Sequence, residues 1–363
     1  MTSIGLDYRP ALVNAEGIGR AVRETVRAHS SNGTTQLKLF GSTLTAPRVP
    51  TDELGLGPNT RLSRWRLPSR VWGPLHVCTG LGADRLLRGV DLFHHTQPTT
   101  LPIVRAVETA TVWDCLWKDG GSGWIAPEVA RRMEASARSV VERCARIQVP
   151  SRHVRDEVID VLGADPGSID VVGLGGDHVL RVQPDFTRVP ERPFLLTAAR
   201  VDPRKNHVAV LEALQLLEGR GCDLDWVVVG PPGYGVEIFE RALERSPVRS
   251  RVDWRHAVSD AELVALYART ACFVFPSLGE GFGLPPIEAA FLGAPIVSSG
   301  RGSLDEVLPP DAVRVEPEDP HGIADGILDR LGRGRRTTTD GLPRWEQGAA
   351  EQRASWRRAL EQA

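Results

Sequence analysis

Short β-branched and aromatic runs alternate with helix-length amphipathic stretches along almost the whole chain, and this alternation leaves few folds open. In the first half the runs are Ser3–Asp7, Leu37–Phe40, Leu92–His94, Ala110–Trp113, Arg146–Val149 and Ile169–Val172. In the second they are Phe194–Ala199, Trp226–Gly230, Arg251–Trp254, Ala271–Pro276 and Ala294–Ser298. Strands separated by helices pair in parallel, and parallel sheets need helices on both faces, so an α/β architecture is expected. A chain of 363 residues is long enough for two such domains. The stretch Val182–Pro193 carries three prolines and reads as the linker, with the first domain at 1–185 and the second at 190–340.

Several classes are disfavoured. A net charge of −2 gives no reason to expect nucleic-acid binding. The start, Met-Thr-Ser-Ile-Gly-Leu, has no charged region followed by an apolar core, so no signal peptide is expected. No apolar run approaches the roughly 20 residues needed to span a bilayer. The 5 cysteines (78, 115, 144, 222 and 272) form no C-x-x-C pair and read as buried, reduced thiols of a cytoplasmic protein. No His/Cys/Asp cluster has metal-ligand spacing, so no metal cofactor is expected. Asp223-Leu-Asp225 has D-x-D form but precedes a strand instead of following one, the wrong end for a ligand.

The stretch Glu280-Gly281-Phe282-Gly283-Leu284-Pro285-Pro286-Ile287-Glu288 follows the strand Ala271–Pro276 and runs into a short helix ended by Gly293 and Pro295. Two carboxylates thus flank a glycine turn at a strand's C-terminal end, where open α/β sheets bind ligands. Peptide N–H groups there can meet an anion. Pro285 and Pro286 lack an N–H, so the donors come from Gly281, Phe282, Gly283 and Leu284. Acids beside an anion cradle suit a ligand with hydroxyls on both sides of a phosphate, such as a sugar nucleotide. Earlier, Arg200 ends one strand and Lys205 enters the helix His207–Leu217, with Asn206 as its expected N-cap. The two cations can converge on one diphosphate. The chain has 41 Arg and three Lys (Lys38, Lys118, Lys205), so a lysine at 205 suggests that a compact ammonium is needed there.

The run PSLGEGFGLPPIEAAFLGAPIVSS resembles the E-x-x-x-x-x-x-x-E signature of retaining glycosyltransferases of family 4, which have the GT-B fold of two Rossmann-like, doubly wound parallel-sheet domains facing a cleft. The resemblance implies Glu280 on donor-sugar hydroxyls, Phe282, Gly283 and Leu284 on the phosphate and Glu288 on the nucleotide ribose. It also implies Arg200 and Lys205 on the donor diphosphate. The segment IGLDYRPALVNAEGIGRAVRETV is similar to the start of mannosyltransferase B-like members, where the glycine loop, here Gly17 and Gly19, lies against the donor phosphates; a simple tight turn is the other reading. The last helix, 343–363, anchored by Trp345 and Trp356, is implied to cross back to the first domain.

Asp91-Leu-Phe-His94-His95 and Thr111-Val-Trp113-Asp114 resemble two further family segments. Many members have a His where Trp113 stands, so His94, His95 and Asp114 are acceptor-side candidates, with buried structural histidines and a helix-cap aspartate as the alternatives. Between 61 and 88, Arg61, Arg64, Arg66, Arg70, Arg85 and Arg88 stand against one acid, Asp84. Leu62, Trp65, Leu67, Val71 and Trp72 are interleaved with them. This segment suits peripheral contact with an anionic membrane, at its inner face, an acceptor phosphate, or a solvated helix face with apolar anchors in the core.

The expected function is transfer of a sugar, with retention, from a nucleotide-sugar donor to a hydroxyl of a glycan, glycolipid or natural product. The mannosyltransferase-like N-terminus points toward GDP-mannose. The alternatives are a non-catalytic sugar-nucleotide-binding protein and a sugar-nucleotide epimerase of similar fold.

Overall fold

The strands form because β-branched runs bury on both faces, and every pairing between them is parallel. A computed structural model of the chain describes residues 2–15, 17–32, 35–44, 47, 54–68, 71–98, 101–121 and 123–363. It divides into two compact units: one of Met1–Lys118, Glu128–Leu174 and Trp345–Ala363, the other of Asp119–Pro127 and Gly175–Arg344.

Among the described residues the first unit has the strands β1 (Ser3–Asp7), β2 (Gln36–Ser42), β3 (Thr60–Trp65), β4 (Leu92–His95), β5 (Val107–Thr111), β6 (Arg146–Val149) and β7 (Ile169–Val171), in the order β3-β2-β1-β4-β5-β6-β7. The second has β8 (Phe194–Ala198), β9 (Asp225–Val229), β10 (Val252–Arg255), β11 (Cys272–Phe275), β12 (Ile296–Ser299) and β13 (Val313–Val315), in the order β10-β9-β8-β11-β12-β13. Strand order reverses between β1 and β4, and again between β8 and β11. Doubly wound sheets leave a crevice at such points.

Two edge strands were not expected. The segment 60–65 is not a helix face: Thr-Arg-Leu-Ser-Arg-Trp, whose apolar residues Leu62 and Trp65 stand three apart without alternation, pairs with β2. β13 is only Val-Arg-Val, too short for a pattern to register. The division between the units falls after Leu174, so the proline-rich stretch at 182–193 lies within the second unit. There the Asp185 N–H donates to the Ala261 carbonyl at 3.0 Å. Cys78 is exposed, contrary to the expectation of buried thiols, because it lies on the helix Trp72–Thr79, which is apolar on its outer side as well.

The helix Trp345–Gln362 belongs to the first unit. Its buried positions, Trp345, Gly348, Ala349, Gln352, Ser355, Trp356 and Ala359, repeat at helical spacing. Trp356 stacks on His29 at 4.8 Å and joins the core of Leu6, Val22 and Leu37. Gln352 Oε1 accepts from His29 Nε2 at 2.8 Å, and Gln352 Nε2 donates to Gln148 Oε1 at 2.7 Å. Arg358 adds a 2.8 Å bond to Asp170, which also pairs with the buried Arg146. A Cβ on Gly348 would stand 2.1 Å from the Gly173 carbonyl oxygen. Gly348→Ala is therefore expected to destabilise the protein by about 1–3 kcal/mol, although alanine is the better helix former. A melting temperature equal to or above that of the parent would show that the helix is not packed this closely.

Candidate functional site

The loops after β8 and β11 leave the second sheet side by side at its reversal point, and backbone bonds join them. The Leu278 N–H donates to the Arg204 carbonyl at 2.8 Å, and Ser277 Oγ lies 3.2 Å from the same oxygen. In the β8 loop, Asp202 accepts from the Lys205 N–H at 3.2 Å and caps the turn Pro203–Lys205. Asn206 follows in a left-handed conformation, with φ of 59°. It does not cap the helix His207–Gly219 with its side chain, as the sequence suggested. Its amide donates instead to the carbonyls of Pro276 (3.3 Å) and Pro317 (2.6 Å), which ties this loop to the end of β11.

Glu280 is the centre of the site. Its side chain is 10% exposed, and that of Lys205 is 11% exposed. The Lys205 ammonium pairs with Glu280 Oε1 and lies 4.8 Å from the Phe275 ring centroid. Arg204 Nη1 donates to the same oxygen at 2.8 Å and to the Gly279 carbonyl at 2.7 Å; Ser277 Oγ donates to Oε1 at 2.6 Å. Burial works to raise the Glu280 carboxyl, but Arg204, Lys205 and Ser277 overcome it and hold the group at about 2. Burial, together with the Arg204 charge, pushes the Lys205 ammonium down. Arg204 is thus part of the cluster and not a bystander beside Lys205. Arg200, by contrast, is exposed, with its stem against Gly233.

The turn itself is locked from the other side. Ser303 donates to the Glu280 carbonyl through N–H (3.1 Å) and Oγ (2.9 Å). Gly283, with φ of 93°, opens the helix Leu284–Phe291, and a Cβ there would stand 2.5 Å from Leu304 Cδ2. Only glycine fits both conditions. Gly281 is half-buried, and Phe282 turns its ring inward. Glu288 lies one turn into the helix, buried, with Tyr267 Oη donating to Oε2 at 2.9 Å and His178 Nε2 at 3.1 Å from Oε1. Gly176 lets the His178 segment press on this helix, since a Cβ would meet Ile287 Cγ2 at 2.7 Å.

The first-unit candidates divide. Gly19 has a packing reason, because a Cβ would stand 2.0 Å from the Asn14 carbonyl oxygen. Gly17, with φ of 54°, has open space around it at the start of the helix Ile18–Asn32. Of the acceptor-side candidates, His94 and His95 are both buried in β4, as the structural alternative has them. His94 binds Thr109 Oγ1 at 2.9 Å and Thr111 Oγ1 at 3.0 Å, and burial pushes it down to about 3; His95 Nε2 lies 2.7 Å from Glu108. Asp114 accepts from the Leu116 N–H at 3.2 Å in a local turn. Trp113 Nε1 donates to the Thr96 carbonyl at 2.7 Å. At the entry to β9, Asp223 and Asp225 are paired with Arg192 and Arg251.

Arg204, Ser277, Tyr267 and His178 were not anticipated. The first two are adjacent to motif residues, and a closer look at the Arg204-Lys205 pair would have raised the first. The other two reach Glu288 from distant segments, and no local pattern announces them.

The family model for glycosyl transferases group 1 matches residues 182–334. The O-antigen chain mannosyltransferase B of Escherichia coli is 29% identical over 211 residues, 55% of each chain. Residues 182–334, within the second unit, are thus similar to the glycosyl transferases group 1 family. The serotype-specific mannosyltransferase WbdA of the same organism is 32% identical over 193 residues, 52% of this chain but 23% of WbdA. The match therefore spans about half of one curated relative and under a quarter of the other. The sucrose-phosphate synthase structure from Thermosynechococcus elongatus superposes with a TM-score of 0.73 at 16% identity, covering 100% of both chains, and the fold is GT-B.

Proposed function

We propose that this chain is a retaining glycosyltransferase that moves a hexose from a nucleotide-sugar donor to an acceptor hydroxyl, with GDP-mannose the favoured donor. The observation that carries this reading is the pair Glu280 and Glu288 on the turn and helix after β11, beside the Arg200–Lys205 loop after the adjacent β8. In this reading Arg200 and Lys205, with the amides of Gly281 to Leu284, neutralise the departing diphosphate. Glu280 orients the sugar, and Glu288 holds the ribose. No enzyme nucleophile is required: the departing phosphate oxygen takes the acceptor's proton as the acceptor attacks on the same face. Gly17, at the open start of its helix, is assigned to the donor phosphates.

Thermal shift against GDP-, UDP- and ADP-sugars tests the donor, since a ligand bound only by the folded state raises its melting temperature. Turnover that needs no acceptor would favour the epimerase, and binding without turnover on any acceptor would favour a sensor. Turnover is expected to persist in EDTA, because the two cations do the work of a metal. Loss of activity restored only by Mg²⁺ or Mn²⁺ would return Asp223 and Asp225 to consideration.

No described helix is long and apolar enough to cross a membrane. We assign peripheral contact with an anionic membrane, from the cytoplasmic side, to one corner of the first unit. Leu44 is 66% and Val77 83% exposed there. Thr43 bonds to Trp65, and Trp72, at the start of the Val77 helix, bonds to Ser42. Arg61, Arg66, Arg85 and Arg88 are exposed, whereas Asp84 is buried on the N–H groups of Val104, Arg105 and Ala106. Arg70 lies outside the described residues. Cosedimentation with phosphatidylglycerol vesicles at low salt, but not with phosphatidylcholine, is expected. The double variant Leu44→Asp, Val77→Asp should abolish it; unchanged binding would remove this surface from the account.

A further inference from the structure

Three donors reach the Glu280 carboxylate, and all three land on Oε1: Ser277 Oγ at 2.6 Å, Arg204 Nη1 at 2.8 Å and the Lys205 ammonium. Oε2 accepts no bond among the described residues, although the side chain keeps some access to solvent. The two cations are held very differently. Lys205 ends a flexible stem over the Phe275 ring. Arg204 is fixed at both ends: its guanidinium also donates to the Gly279 carbonyl, and its own carbonyl accepts from the Leu278 N–H. A guanidinium nitrogen, Nη1, held between a carboxylate and a backbone carbonyl is a support, whereas an ammonium on a rotatable chain can change partners.

On the glycosyltransferase reading Lys205 is needed by the donor diphosphate, and a carboxylate held by Lys205 alone would be released when the donor arrives. We propose that Arg204 is a positioning residue for the donor sugar: it pins Glu280 through Oε1, so that Oε2 stays turned outward to accept from a sugar hydroxyl after Lys205 has moved to the diphosphate. This inference rests on that reading and adds a role that the signature itself does not assign. Arg204 also has an electrostatic task. The charged groups around Glu280 are Arg204 and Lys205, with Asp202 acting on Lys205 from its far side. Burial favours the protonated acid at this position, and once Lys205 is engaged elsewhere Arg204 is the remaining cation that opposes it.

Calorimetry separates this role from a phosphate contact. The ligands are GDP, UDP, GDP-mannose and UDP-glucose, on the parent chain, Arg204→Ala and Arg204→Lys. For whichever pair the parent binds, Arg204→Ala should bind the nucleoside diphosphate within about twofold of the parent, and this also reports that the variant is folded. It should bind the sugar nucleotide about tenfold more weakly, the loss expected when a charge-assisted contact is misplaced. The deficit should widen between pH 8 and pH 5, because a less supported Glu280 takes up a proton there, while the parent stays nearly flat. Arg204→Lys should recover part of the affinity, since its ammonium can pair with Glu280 but sits on a shorter, rotatable stem that holds the carboxylate less firmly. Equal losses for nucleoside diphosphate and sugar nucleotide would make Arg204 a phosphate ligand and overturn the proposal, as would no loss for either. Failure of the parent to bind any of the four would bring down the glycosyltransferase reading itself, and this proposal with it.

Discussion

Lys205→Ala is expected to lower kcat/KM about 30- to 1,000-fold, the effect of removing one preorganised charge from the group that must depart, worth roughly 2–4 kcal/mol. Most of the loss should fall in kcat, because negative charge on the leaving phosphate grows toward the transition state. Sequence alone suggested Arg204 as the neutral comparison, but its bond to Glu280 disqualifies it. Arg220 serves better: among the described residues it pairs with Asp325, on the surface, and its loss should change activity less than twofold. If Lys205→Ala and Arg220→Ala behave alike, the loop is a solvated basic turn and the diphosphate assignment is wrong.

Glu280→Gln and Glu288→Gln are expected to fail in different ways. Glu280 is assigned to sugar hydroxyls near the reacting carbon, so its amide should lower kcat while nucleoside diphosphate binding stays nearly intact. Glu288 is assigned to the ribose, so its amide should weaken the nucleoside diphosphate and the donor alike, with less change in kcat. A stability difference accompanies the first. Removing the negative charge leaves the Arg204 and Lys205 cations confined without their partner, at a cost of about 3 kcal/mol near neutral pH. The Glu280 carboxyl is held at about 2, below its ordinary value, so its contribution is complete above that ordinary value and fades as pH falls toward 2. The gap in stability between parent and Glu280→Gln should therefore close in acid. Equal losses of nucleotide affinity in both variants, or a reversed pattern, would mean that the two carboxylates have been assigned to the wrong parts of the donor.

Much of this was legible before any coordinates. Short apolar, aromatic and β-branched runs such as Cys272–Phe275 suit buried strands, and the helix-length stretches between them suit crossovers, so both parallel sheets were legible from pattern. The turn from Glu280 to Glu288 was legible because its glycines and prolines leave the backbone little choice. Strands β3 and β13 were not, because β3 carries no alternation and β13 is too short for one to register. Partners of the key carboxylates were the least visible. Tyr267 and His178 reach Glu288 from separate segments, and tertiary proximity of that kind leaves no trace in local periodicity. For His94 and His95 the sequence left a site role and a buried structural role open, and at the centre of a parallel sheet Thr109, Thr111 and Glu108 lie within bonding distance of them.

The helix Trp345–Gln362 completes the core of the first unit, yet the whole of Gly175–Arg344 is synthesised before it. A ribosome adding roughly 5–20 residues per second needs about 10–30 s to cover that interval. Throughout it, the face around His29, Leu6 and Val22 has no Trp356 to meet it, while the second unit already has all its strands and can fold. The order of completion is thus inverted relative to the order of emergence, with the first-made sheet finished last. Nascent chains caught in that window should be the ones most dependent on chaperones, and their sticky surface should map to this face.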